Sequence, residues 1–264
     1  QVDKLMLSRY VALVWVAPYE LGLRAAAVMG SLPQIMLTAL VSEASGLHAL
    51  GDREGLRAAH DRAARWVMTF TAMLAAALMV GSPRLLAAWL GDVPQGSDAA
   101  VVGLSAAMVI AMATGVVSAL ARAFGRTRFE AEYSALALVL HTSLGLVWVP
   151  PHGIAGAIAA TLCANVVAVT WYLVRFARLA GWSWRTLVAP SIPPMLVLAV
   201  VAVAGRALAP HLPMATGLMG WLWVVVAAGV PPLVVLALLS LVGFVTPAAT
   251  WSAKRRPIRK NRNV

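Results

Sequence analysis

Charged residues fall in short clusters along this chain. Between them lie long apolar stretches that are almost free of charge: 19–42, 66–90, 99–121, 133–149, 154–174, 187–204 and 217–244, with a partial stretch at 2–16. A charge at the centre of a bilayer costs on the order of 2.5–3.5 kcal/mol on insertion scales, so such windows mark helices able to lie in hydrocarbon. Roughly 20 apolar residues cross a bilayer as a helix, and 264 residues then allow about seven crossings with short links. Composition agrees, at 61% hydrophobic and 12% charged against roughly 25% charged in soluble domains. A water-soluble globule is excluded, and no stretch is polar enough for a separate extramembrane domain. The expected fold is all-α, a polytopic membrane helical bundle.

Glycine and proline punctuate the stretches at Gly46…Gly51-Asp52, Gly91-Asp92-Val93-Pro94-Gln95-Gly96, Pro150-Pro151-His152-Gly153 and Pro210-His211-Leu212-Pro213, each a plausible turn. Arginine alternates with them. Arg53, Arg57, Arg62 and Arg65 follow the first stretch, Arg122, Arg126 and Arg128 the third, Arg175, Arg178 and Arg185 the fifth, and the tail carries Lys254, Arg255, Arg256, Arg259, Lys260 and Arg262. The intervening links carry only Arg84 and Arg206. Positive charge in short loops sets topology, which places the basic links and the C-terminus in the cytoplasm. A formal charge of +11 would point to nucleic acid in a soluble protein; here it records orientation, and no nucleic-acid partner is expected. The tail at 251–264 reads as a basic cytoplasmic anchor beside membrane lipids. Arg84 is expected to snorkel to the interface, Pro231-Pro232 to kink the last helix unless neighbours satisfy the freed carbonyls, and Glu43 to be solvated. Since the chain opens on Gln1 without a signal-peptide pattern, residues upstream are expected.

Enzyme chemistry is not evident. The histidines His48, His60, His141, His152 and His211 lie in different segments without ligand spacing, and the single Cys163 excludes an intrachain disulfide or a cysteine-rich metal site. No phosphate-binding loop occurs, and no cofactor is expected. Gly153-Ile154-Ala155-Gly156-Ala157 opens a membrane helix, where small residues serve close packing. Asp92 and Asp98 could act as outer-loop acids of a polyprenyl-dependent glycosyltransferase, but the loop is short; an exposed turn aspartate, or Asp98 as a helix cap, is the simpler reading. His141 is either a proton carrier or a neutral histidine hydrogen-bonded between helices.

Ionisable residues concentrate at the N-terminal end. Asp3, Lys4, Arg9, Glu20 and Arg24 fall in or beside the first two stretches, where contact with lipid is costly, so they are expected to face an aqueous cavity or one another. Glu20 and Arg24 are four apart, on one helix face, with the acid first as a favourable pair requires. An arginine fork suits a phosphate or diphosphate; a structural ion pair at the interface is the alternative.

The order of landmarks over residues 3 to about 180 resembles the C-terminal half of a polysaccharide flippase of the multidrug/oligosaccharidyl-lipid/polysaccharide exporter superfamily. It rests on Asp3, on Tyr19 opening a helix that ends in Ser45-Gly46-Leu47-His48-Ala49-Leu50-Gly51-Asp52, on Leu120-Ala121-Arg122-Ala123-Phe124-Gly125-Arg126, and on Val149-Pro150-Pro151-His152-Gly153-Ile154-Ala155-Gly156-Ala157. Ser42 departs from the family pattern, which usually has a helix-ending proline near there. The resemblance implies a transporter lobe at 1–180 with a truncated first helix, two additional membrane helices within 181–250, and a multi-pass protein of the bacterial inner membrane. It also implies a missing N-terminal lobe or polysaccharide-assembly proteins as partners. The implied substrate is an undecaprenyl-diphosphate-linked oligosaccharide, moved from the inner to the outer leaflet. Arg24 and Arg9 are the expected diphosphate or sugar contacts, Glu20 orients Arg24, and Asp3 lines the cavity. The alternatives are a cation-coupled drug exporter of the same superfamily, the glycosyltransferase, or a non-catalytic assembly subunit.

Overall fold

A computed structural model of the chain describes residues 2–211 and 217–244. Its helices are α1 (Val2–Tyr10), α2 (Val16–Ala49), α3 (Arg53–Leu90), α4 (Ser97–Met112), α5 (Gly115–Ala123), α6 (Arg128–Ala180), α7 (Trp184–Val188), α8 (Ile192–Leu208) and α9 (Gly217–Leu241), with short 3-10 turns between some of them and no strand among the described residues. The protein is an all-α bundle with 6 helical stretches long and apolar enough to cross a membrane, which makes it a multi-pass membrane protein.

One of those stretches is two helices. At about 1.5 Å per residue a straight α6 of 53 residues would run about 80 Å, far beyond a bilayer of about 30 Å. Gly153 instead adopts φ 55°, ψ −131°, a region open to glycine alone, and the chain folds back on itself. Glu132 meets Arg175 at 3.0 Å and the rings of Tyr133 and Tyr172 lie 5.2 Å apart, so the arms 128–151 and 154–180 are antiparallel. A Cβ on Gly156 would fall 2.1 Å from the carbonyl oxygen of Trp148. The Pro-Pro-His-Gly turn is therefore a helical hairpin whose two glycines admit the reversal.

Successive links alternate between two ends. At one end Val11 approaches Gly153, and Trp15 and Ile154 approach Gly96. At the other, the ring of His48 lies 4.4 Å from that of Phe124, Arg57 sits over Trp182 and Arg65 over Phe244. The second end carries Arg53, Arg57, Arg126, Arg128, Arg178 and Arg185, and is called the basic end below.

Helix limits differ from the charge-free windows for a physical reason: charge bars a residue from hydrocarbon, not from a helix. The expected loop from Gly46 to Arg65 is thus mostly helix, broken only at Leu50–Asp52. Gly51 takes φ 69°, the Asp52 amide donates to the Leu47 carbonyl at 3.0 Å, and the Asp52 carboxylate caps α3 by accepting from the Gly55 amide at 2.8 Å. The partial stretch at 2–16 is broken at Ala12, whose backbone is extended. The window 99–121 divides into α4 and α5 around Ala113–Thr114, and α9 runs unbroken through Pro231 and Pro232. The basic tail 251–264 lies outside the described residues.

Helix α4 occupies the middle, packed by α2, α3 and the second arm of α6. Close approach depends on small residues: a Cβ on Gly22 of α2 would lie 2.7 Å from the backbone of Ala100 on α4. Met29, Met68, Ala72, Val109, Leu198 and Val235 form one core region. Val117, Leu120, Tyr172, Phe176 and Trp182 form another towards the basic end. Helices α8 and α9 lie against α3, where Gly81 meets Ala228 and Gly205 meets Val80.

Candidate functional site

Helix α2 buries one narrow stripe, Tyr19, Gly22, Ala26, Met29, Pro33, Leu37, Leu40 and Ala44. At about 100° per residue, Glu20, Arg24, Ser31, Gln34, Thr38, Ser42 and Ser45 fall on a second face along the whole helix. All of them are exposed except the half-buried Glu20. The hydroxyls of Ser31, Thr38 and Ser45 donate to carbonyls of their own helix, but the Gln34 amide and the charged pair need outside partners. Unsatisfied polar groups in hydrocarbon cost several kcal/mol each, about 4–8 on cyclohexane scales. A membrane-crossing helix with such a face looks onto water or onto a polar partner.

That face borders a cleft of about 280 Å³ between α2, the α4–α5 junction and the first arm of α6, lined by Gln34, Thr114, Ser118, Arg122, Glu130, Tyr133 and Ser134 among others. The Arg122 Nε donates to both oxygens of Glu130, at 2.8 and 3.0 Å. Glu132 takes Arg128 and Arg175, each at 3.0 Å. Ser118 Oγ donates to the Tyr172 hydroxyl at 3.2 Å, and the Tyr133 ring lies against that of Tyr172. None of these residues was among the expected site residues. The legible signal is the repeat of Ser31, Gln34, Thr38, Ser42 and Ser45 at helical spacing; Arg122 reads only as a loop charge.

At the opposite end the expected residues divide. The Arg24 Nε donates to Glu20 Oε1 at 3.1 Å, and the Lys4 ammonium from α1 closes on Glu20 Oε2. Glu20 thus joins α1 to α2 and holds two cations. The Arg24 side chain is 76% exposed, and its remaining N–H donors have no partner among the described residues. It also stands at the rim of an apolar groove of about 350 Å³ between α2 and α3, walled by Val28, Leu32, Leu78, Leu85 and Trp89 among others. Arg9 is separate: it is exposed, with its guanidinium 5.9 Å from the Tyr10 ring centre. Asp3 belongs to α1, and its side chain lies outside the described residues.

Three polar residues behave otherwise than their sequence setting implied. Asp98 is neither a solvated turn residue nor a cap, since α4 begins from Gly96 with no side-chain cap bond. Its carboxylate accepts from Arg206 at 2.8 and 2.5 Å and from Ser82 at 2.5 Å. Arg84 does not snorkel; it is buried and donates to the Ala209 carbonyl at 2.6 Å. Glu43 is paired with Arg62 across α2 and α3. His141 is half-buried on the first arm of α6.

Among the described residues no group of three His, Cys, Asp or Glu could hold a metal ion. The chain matches no family model, and neither a curated protein nor a solved structure is detectably similar to it.

Proposed function

We propose that the chain is one lobe of a membrane transporter that carries an amphiphilic, anionic lipid-linked saccharide across the bilayer, the undecaprenyl-diphosphate-linked class implied by the sequence resemblance. The observation that carries the reading is the exposed polar face of α2, continuous from Glu20 to Ser45 on a helix that crosses the membrane. A sugar head and a diphosphate cannot enter hydrocarbon without substitute hydrogen bonds. A row of hydroxyls and an amide offers weak, exchangeable partners along the route, and the cleft beside Gln34 widens it towards the basic end.

Arg24 is assigned the diphosphate contact. Its fork remains charged, and two parallel donors match a phosphate edge. Glu20 fixes the Nε side, which turns the free donors outward, and Lys4 balances the second carboxylate oxygen. A second lobe facing α2 would close the polar face into a chamber and permit alternating access. With the basic end in the cytoplasm, as loop charge directs, Arg24 lies in the outer half of the membrane and the Arg122–Glu130 cleft in the inner half.

The test is Arg24→Ala in cells that depend on the transporter. Surface polysaccharide should fall while lipid-linked intermediates accumulate on the cytoplasmic leaflet. Normal export at normal protein level would remove Arg24 from the mechanism.

A further inference from the structure

At the basic end three links converge: the turn after α2, the α5–α6 link and the turn between α6 and α7. They enclose a bowl of about 240 Å³ lined by His48, Arg53, Leu56, Phe124, Arg126, Leu179, Ala180 and Trp182. Its aromatic and aliphatic wall is built by Leu56, Phe124 and Trp182, with His48 packed on Phe124 at 4.4 Å. Arg57 lies over the Trp182 ring, 5.7 Å from its centre. Arg53 and Arg126 are exposed, from two different links, and neither has an acid partner among the described residues. Among the other arginines at this end Arg122 is paired with Glu130, Arg128 and Arg175 share Glu132, and Arg57, Arg178 and Arg185 lie outside the lining of the bowl. The neighbouring Asp52 spends its carboxylate on the Gly55 amide at the start of α3.

We propose that this bowl binds the phosphate of an anionic glycerophospholipid headgroup, with Arg53 and Arg126 as the two cationic contacts. Helices α2 and α5 and both arms of α6 end here within about seven residues of their apolar stretches, so the bowl faces the headgroup layer. Arginines held apart by a rigid apolar wall select a phosphate over a diffuse negative surface. Basic pockets between membrane helices on the cytoplasmic side take lipid headgroups in this way, and the guanidinium geometry favours bidentate phosphate contact. The site does not depend on the transport reading: it lies at the far end of α2 from Arg24 and uses none of the polar face.

The test uses the purified full chain, with lipid retention measured by native mass spectrometry and by titration into nanodiscs of phosphatidylcholine containing phosphatidylglycerol. The Arg53→Gln/Arg126→Gln variant should weaken phosphatidylglycerol binding about tenfold or more, the scale for removing two cations from an anionic surface, and leave phosphatidylcholine binding unchanged. Arg178→Gln/Arg185→Gln, which removes the same charge from the same end outside the bowl, should change it less than threefold. Arg53→Lys/Arg126→Lys should keep part of the affinity and reports on folding. Equal losses in the two Gln variants would overturn the site in favour of diffuse charge attraction. Displacement of the lipid by millimolar inorganic phosphate alone would assign the bowl to a free anion and overturn the lipid assignment.

Discussion

Asp98 on α4 and Arg206 on α8 are joined by two parallel hydrogen bonds, 2.8 and 2.5 Å long, although 108 residues separate them. Ser82 of α3 adds a third bond to the same carboxylate. The α8–α9 pair is therefore fastened to the rest of the bundle by a half-buried polar junction as well as by apolar packing on α3.

Asp98→Asn is expected to lower the thermal midpoint of the detergent-solubilised protein by several degrees. Hydrogen bonds to charged groups contribute about 1.5–3 kcal/mol, and the substitution leaves Arg206 without its counter-charge. Arg206→Gln should cost a similar amount, and the double variant should cost less than the two singles added, because the same contact is lost in each. Thermal unfolding followed by intrinsic fluorescence measures all three. Strict additivity would mean that the two residues are not coupled.

Glycines at close approaches should differ by what they meet. Gly156→Ala drives a methyl into the Trp148 carbonyl, and Gly22→Ala drives one into the Ala100 backbone; neither backbone can yield without moving a helix. Overpacking costs about 1–3 kcal/mol, so both variants should show reduced folded yield by size-exclusion chromatography. Gly30→Ala meets only the end of the Met108 side chain, which can rotate, and should be the mildest of the three. Gly153→Ala is strained by its φ of 55° even though its surroundings are open.

Arg24→Lys should retain part of the export activity and Arg24→Ala should retain little, because lysine keeps the charge but loses the paired donors and the Nε contact to Glu20. Glu20→Gln should impair export less than Arg24→Ala, since it loosens the fork without removing it. Quantifying surface polysaccharide at matched protein levels ranks the three. Equal activity of Arg24→Lys and Arg24→Ala would show that charge at this position is not used.

Sidedness follows from the link order. With Cys163→Ala as background, a cysteine placed by Gln95→Cys, in the turn between α3 and α4, should react with an impermeant thiol reagent applied outside the cell. One placed by Thr127→Cys, in the α5–α6 link, should react only after the membrane is opened. The reverse pattern would invert the orientation drawn from arginine distribution.

Much of the architecture is legible in the chain itself. Lengths without charge locate the crossings, and Pro150-Pro151-His152-Gly153 marks the reversal that a continuous helical reading of α6 conceals. Helix ends are less legible, because Arg53 to Arg65 are excluded from hydrocarbon yet continue α3 past it. The Asp98–Arg206 and Glu132–Arg175 pairs have no local signature, since pairing across distant segments is decided by packing. The break at Thr114 carries only the weak signal of Gly115 beside it, because the apolar stretch continues on both sides. The polar face of α2 was present in the spacing all along, but serine and threonine are nearly neutral in hydropathy and align only when the helical phase is applied.

Water access to the polar face of α2 decides the matter. In the Cys163→Ala background, cysteines introduced by Ser31→Cys, Gln34→Cys and Thr38→Cys should react with a membrane-impermeant thiol reagent in intact or opened membranes. Cysteines placed by Val167→Cys, Val200→Cys and Val225→Cys, on exposed apolar faces of α6, α8 and α9, should stay unreactive. Labelling at the first three and not at the second three is the pattern of a wet pathway along α2. Unreactive cysteines at Ser31, Gln34 and Thr38 would place that face against lipid or solid protein and contradict translocation along it.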